Sequence, residues 1–193
     1  MSESPANNFD AIVEHKPSPG EQHYEKFRVT PELTAEAKRI ISLYPEGKAQ
    51  SAAVPILHEI QKRFGYICGD SVIWVAEQIG CTPAHVIGIV TFYPGLRQSC
   101  PGKFHIRVCR TLSCAMAGSE DLFDTLCEKV GIDKKAINHD NPIGVSPDGL
   151  WSIEFVECLA QCGFAPSVMV NDHTHSLVTP DKADDLISTY AGK

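Results

Sequence analysis

The 193-residue chain has no apolar run approaching the roughly 18 residues that cross a membrane, so no direct membrane insertion is expected. It has no basic patch either. Residues 1–100 hold nine basic and eleven acidic groups, and residues 101–193 hold eight and thirteen. A nucleic-acid partner needs a basic footprint and is not expected. G-x-G-x-x-G and G-x-x-x-x-G-K-S/T are both missing, which excludes the common nucleotide-binding loops. C-x-x-C is missing too, which excludes a thioredoxin-type dithiol pair. The first residues show no charged stretch followed by an apolar one, and the first 25 lack Arg. Neither a secretory signal nor a mitochondrial transit peptide is expected.

What is present suits a folded protein. Hydrophobic residues make up 43% and glycines number 14, the usual globular share. Eight cysteines are many for a chain expected in a reducing compartment. There, paired cysteines more often bind metal or carry redox chemistry than form disulfides.

Residues 1–30 are polar, with Pro5, Pro17, Pro19 and Gly20, and are expected to be a flexible arm. Residues 31–98 are expected to be a helical bundle. Ala37, Ile40, Ile41 and Tyr44 follow Pro31 at helical spacing. Ile56, Ile60 and Phe64 mark a second helix, with Pro55 near its first turn. Val72, Val75, Ala76 and Ile79 mark a third, with Asp70 or Ser71 as cap. Val86, Ile89, Val90 and Tyr93 mark a fourth behind Thr82-Pro83.

From residue 99 to 193 the period changes from 3.6 to 2. Phe104, Ile106 and Val108 alternate with His105, Arg107 and Cys109. Trp151, Ile153 and Phe155 alternate through a second strand ending near Cys158. Val168 and Val170 mark a third strand and Ser176–Thr179 a fourth. Helices are expected at 118–130 and from Pro180 to about Tyr190. The order β, α, β, β, β, α gives an α/β (α+β) class with a small mixed sheet.

Four cysteines fall at strand ends. Cys109 and Cys114 form C-x4-C, and Cys158 and Cys162 form C-x3-C. If the two strands are neighbours, both loops lie on one edge and four thiolates can surround one inorganic centre. Such a set suits a [2Fe–2S] cluster or a tetrahedral zinc. Zinc knuckles more typically use C-x2-C, and the longer loops suit a wider two-iron unit. Spacing separates the two only in part, and a dithiol site or unliganded cysteines stay open. Small neighbours (Ser113, Ala115, Ala160, Gly163) leave room for backbone N–H groups to reach the sulfurs. Cys127 is expected as buried filler on a helix. Cys68, Cys81 and Cys100 have no partner at ligand spacing. His173-x-His175 is expected in a solvated hairpin turn, and His58 and His85 on helices as surface or packing residues. No Ser-His-Asp arrangement stands out.

In these stretches the chain resembles a known family, the thioredoxin-like [2Fe–2S] subunit of NADH:quinone oxidoreductase (respiratory complex I), the E-type subunit in bacterial naming. The resemblance rests on Val54-Pro-Ile-Leu-His58, Phe64-Gly-Tyr-Ile67, Val90-Thr-Phe-Tyr93 and Gly102-Lys-Phe-His-Ile-Arg-Val-Cys109. It continues through Cys114 with Gly118-Ser119, Pro147-Asp-Gly149, Val156-Glu-Cys158-Leu-Ala-Gln-Cys162, Ala165-Pro166 and Thr179-Pro180. These run in order from about residue 31 to 190. The resemblance implies a helical domain followed by a thioredoxin-like [2Fe–2S] ferredoxin domain. It implies Cys109, Cys114, Cys158 and Cys162 as ligands of one [2Fe–2S] cluster, with no catalytic residue. It implies an electron-transfer role, in which the chain exchanges single electrons with FMN in a partner flavoprotein, where NADH also binds. No bond chemistry then occurs on this chain.

The implied partners are that flavoprotein and the rest of the peripheral arm. The implied place is the cytoplasmic, inner face of a bacterial membrane. Residues Ile89–Tyr93 are then candidates for an interface. The same module as diaphorase subunit of an NAD-linked hydrogenase or formate dehydrogenase is the alternative within the family. A structural zinc module and a free ferredoxin-like carrier are alternatives outside it. Departures from the family are Ala160 where Gly is common, Gln161 where a small residue is usual, Phe164, and Arg110. A cation beside a cluster favours its reduced form, so Arg110→Ala is expected to lower the potential.

Overall fold

The structure, a computed structural model, describes residues 18–139 and 141–191. These form two compact units, one of Tyr24–Cys100 and one of Ser18–His23 with residues 101–191.

The first unit holds four helices: α1 (Pro31–Ile41), α2 (Ala53–Phe64), α3 (Gly69–Ile79) and α4 (Pro83–Phe92). Local chemistry explains their starts. Thr30 and Thr82 accept from the N–H groups of Leu33 at 3.1 Å and His85 at 3.3 Å, each followed by proline at the first helical position. α3 departs from expectation. It begins at Gly69 with Cys68 at the cap, and Ser71 Oγ donates to the Cys68 carbonyl at 2.6 Å instead of capping. The apolar stripes meet in one core containing Leu33, Ile56, Ile60, Phe64, Val72, Val75, Val86 and Val90. No single helix among the described residues is long and apolar enough to cross a membrane.

The second unit is built on a five-stranded sheet. Its strands are β1 (Phe104–Cys109), β2 (Gly144–Val145), β3 (Trp151–Val156), β4 (Val168–Val170) and β5 (His173–His175), in the order β2-β3-β1-β4-β5. β1 and β3 run parallel, with Phe104 opposite Trp151 and Cys109 opposite Val156. The other pairings are antiparallel. Helices α5 (Leu112–Met116) and α6 (Ser119–Val130) follow β1, and α7 (Ala183–Ala191) follows a 3-10 turn at Pro180–Lys182.

Phe104, Ile106, Val108, Trp151 and Ile153 share a core with Leu122, Phe123 and Leu126 of α6 and with Leu186 and Tyr190 of α7. Phe123 stacks on Phe155 with ring centroids 3.8 Å apart. The opposite face of β1 and β3 is buried too, which strand alternation did not disclose. There His105, only 2% exposed, bonds Ser152 Oγ through Nδ1 and Glu154 Oε1 through Nε2, both at 2.8 Å. A Ser-His-carboxylate trio thus forms after all. All three members are buried in the sheet, so it is a packing network and not a site open to substrate.

Other expectations change as well. β2 is only two residues long, too short for a visible period. The last strand is His173–His175, not Ser176–Thr179. Asn171, at φ 52°, makes the reversal early, and Leu177, at φ 55°, breaks extended backbone where the strand was expected. His173 and His175 therefore sit on β5, and His175 Nε2 meets the Tyr190 hydroxyl at 2.7 Å. The arm expected at 1–30 also differs. Residues 1–17 lie outside the described residues. Pro19–His23 is a 3-10 helix with Gly20 buried. A β-carbon on Gly20 would strike the Pro101 carbonyl, and one on Gly149 the Pro19 carbonyl. Gln22 Nε2 donates to the Asp148 carbonyl at 2.5 Å. Phe27 belongs to the helical unit, edge-to-face on Phe64.

Candidate metal centre

The parallel register fixes where the four cysteines go. Cys109 ends β1, and its strand neighbour Val156 ends β3, two residues before Cys158. Both loops leave the same edge of the sheet. The first turns at once into α5, which carries Cys114 on its third residue. The second runs through Cys158 to a short 3-10 turn at Cys162–Phe164.

Cys109 and Cys114 are buried, and each shifts the other's pKa. Cys158 and Cys162 are exposed. Among the described residues, no three His, Cys, Asp or Glu side chains are gathered at metal-holding distance. The structure thus brings both pairs to one edge and joins the first pair, without drawing all four sulfurs together.

Donors surround the sulfurs. Thr111 Oγ1 lies 3.2 Å from Cys109 Sγ, and the backbone N–H groups of Thr111 and Leu159 also point to it. The Ala160 N–H donates to Cys158 Sγ at 3.2 Å. The Ser167 hydroxyl, which donates to the Gln161 and Phe164 carbonyls at 3.4 Å, lies close enough to Cys114 to favour its charged form. Burial raises the Cys109 pKa, but the hydrogen bonds from Thr111, Leu159 and Cys114 outweigh it, so the thiol falls below its ordinary value. Burial and the neighbouring Cys109 push Cys114 up. Opposite shifts in two neighbouring buried cysteines suit a pair that gives up its protons on binding a metal. Backbone N–H groups aimed at sulfur fit the thiolates of an iron–sulfur centre, whose negative charge they offset.

Ala160 makes its contact at φ 57°, a left-handed conformation that suits glycine. Ala160→Gly is expected to raise stability by about 0.5 kcal/mol, the relief of strain less the added chain entropy. Thermal unfolding of the two proteins checks it, and a loss of stability would contradict the strain.

Arg110 is not a lone cation. Its Nε donates to Glu157 Oε1 at 3.2 Å, and its Nη2 reaches the same oxygen. Sequence reasoning named Arg110 but missed Glu157, because only the β1–β3 register shows that they meet. The other cysteines lie elsewhere. Cys127 is buried on α6, and burial pushes its thiol up to about 11. Cys68, Cys81 and Cys100 belong to the helical unit.

Residues 37–191 match the model of the thioredoxin-like [2Fe-2S] ferredoxin family. The chain is 40% identical over 151 residues to NADH-quinone oxidoreductase subunit 2 of Thermus thermophilus, covering 77% of this chain and 78% of the relative. It is 33% identical over 169 residues to an E-type NADH-quinone oxidoreductase subunit of Rhizobium meliloti, covering 86% of this chain and 58% of that longer protein. The E-type subunit of Mycobacterium tuberculosis is likewise 33% identical over 157 residues, a match over 81% of this chain and 58% of that protein. A chain of an NAD+-reducing [NiFe]-hydrogenase shares the fold with a TM-score of 0.58 at 17% identity, over 71% of this chain and 22% of that one. This chain belongs to the thioredoxin-like [2Fe–2S] ferredoxin family, among the relatives of the E-type subunits of NADH-quinone oxidoreductase.

Proposed function

We propose that this chain is an electron-transfer subunit of an NADH-quinone oxidoreductase. Its one [2Fe–2S] cluster is held by Cys109, Cys114, Cys158 and Cys162. When bound, the cluster supplies single-electron storage and transfer. The chain's own residues do the rest. Thr111, Leu159, Ala160 and Ser167 direct donors at the sulfurs and offset negative charge. Electrons come from FMN on a partner flavoprotein that binds NADH, and the assembly lies at the inner face of the membrane.

One observation carries the partner reading. Among the described residues, all the large, strongly exposed apolar side chains of the second unit lie beside the cysteine loops: Leu112 (75%), Met116 (81%), Phe164 (60%) and Leu177 (49%). The Leu177 N–H donates to the Phe164 carbonyl, so these two are neighbours. A water-exposed apolar rim around a redox edge fits a docked protein. In the helical unit Phe92 and Tyr93 are also exposed, which supports docking at the end of α4. The hydrogenase alternative has fold likeness behind it, whereas the quinone-oxidoreductase reading has sequence likeness over most of the chain.

Anaerobically purified protein tests the reading. About two irons and two sulfides per chain, with an S = 1/2 EPR signal after dithionite, are expected. NADH is expected to produce the same signal only when the co-expressed flavoprotein is present. A colourless protein holding stoichiometric zinc would overturn the cluster. Reduction by hydrogen or formate through the native complex would move the chain to the alternative assembly.

A further inference from the structure

The last backbone rung between β1 and β3 is the Arg110 N–H to the Val156 carbonyl, at 3.0 Å. Beyond it the two cysteine loops part. Arg110 is the first residue after Cys109, and Glu157 is the last before Cys158. Parallel register sets them side by side, and the guanidinium closes on Glu157 Oε1 through both Nε and Nη2.

The other described links from residues 157–159 to the first loop run through the Cys109 sulfur, which faces the Glu157 carbonyl at 3.7 Å and the Leu159 N–H. The ion pair therefore joins the loops without using a ligand atom. Both its side chains are more than half exposed. Such a pair adds little to the stability of a fold.

We propose that Arg110 and Glu157 form a latch across the two cysteine loops, and that it governs how long the cluster is retained. The proposal rests on the cluster reading above. Cys109 and Cys114 belong to the first loop and Cys158 and Cys162 to the second, so a centre shared by both pairs is released when the loops part. Their parting breaks the ion pair. An exposed pair of this kind slows the step about two- to fivefold. Screening by salt removes that advantage.

A point-charge effect makes a different forecast. An isolated carboxylate beside Cys158 repels the cluster's negative charge, and an isolated guanidinium attracts it. Charge alone therefore makes Arg110→Gln lose its cluster faster and Glu157→Gln lose it more slowly. The latch makes both faster.

The experiment follows bleaching of visible absorbance by EDTA in the loaded full-length chain, at about 0.02 M and about 1 M sodium chloride. Its proteins are the parent, Arg110→Gln, Glu157→Gln and the exchange Arg110→Glu with Glu157→Arg. At low salt both single variants are expected to bleach about two- to fivefold faster than the parent, while the exchange recovers the parent rate. At high salt all four should converge. Melting temperatures should stay close together. A slower Glu157→Gln, or an exchange as fast as the single variants, overturns the latch. Iron and sulfide are measured first. A parent without them overturns the cluster reading and the latch together. A fully loaded set with equal bleaching overturns the latch alone.

Discussion

Cys109→Ala is expected to abolish the visible chromophore and leave iron near zero, while Cys127→Ala keeps both. The two cysteines are equally buried, so burial does not separate them. Their surroundings do. Cys109 ends a strand at the loop edge and is met by Thr111 and by N–H groups, which favour a thiolate. Cys127 lies among Leu122, Phe123 and Leu126, and its thiol titrates near 11. Only a deprotonated sulfur is a ligand. Iron analysis and absorbance of the two variants check this. Full colour in Cys109→Ala would remove Cys109 from the ligand set, and a colourless Cys127→Ala would overturn the reading of Cys127 as core filler.

The largest effect on folding is expected at Phe123. Phe123→Ala should cost about 3–5 kcal/mol, the usual penalty for emptying a buried aromatic site. That corresponds to a fall of roughly 12–40 °C in melting temperature for a unit of this size. Phe123 is 1% exposed and stacks on Phe155 at an interplanar angle of 13°. α6 follows the first cysteine loop, and Phe155 stands three residues before Cys158. The stack thus ties the element after one loop to the strand before the other. Calorimetry of the apo chain reads the folding term separately from cluster binding. A shift under about 2 °C would mean that the site collapses around the missing ring.

Much of this was legible in the residues. The helical stripes and the Thr82 cap follow from spacing and side-chain chemistry alone. So do β1, β3 and the two cysteine pairs at their ends. Other features had no local signal. α5 is five residues long and β2 two, shorter than any period can reveal. β5 was displaced because two non-glycine residues, Asn171 and Leu177, take left-handed backbone. Burial of His105 depends on partners 47 and 49 residues away. The strain at Ala160 had one hint, the glycine common at that place in the family. The Arg110–Glu157 pair had none, since its members meet only through strand register.

The short turn at Ser18–His23 has a consequence for biosynthesis. Because it packs with residues 101–191, the helical segment Tyr24–Cys100 is in topological terms an insertion within the other unit. On the ribosome the inserted helices have all their core residues in hand once residue 100 has emerged. The enclosing unit must wait for α7. The second cysteine pair is also translated late, so the complete donor set exists only after most of the chain has been made. A centre held by the proposed four-cysteine set can therefore be completed only after Cys162 has been made, later than the residues of the helical core.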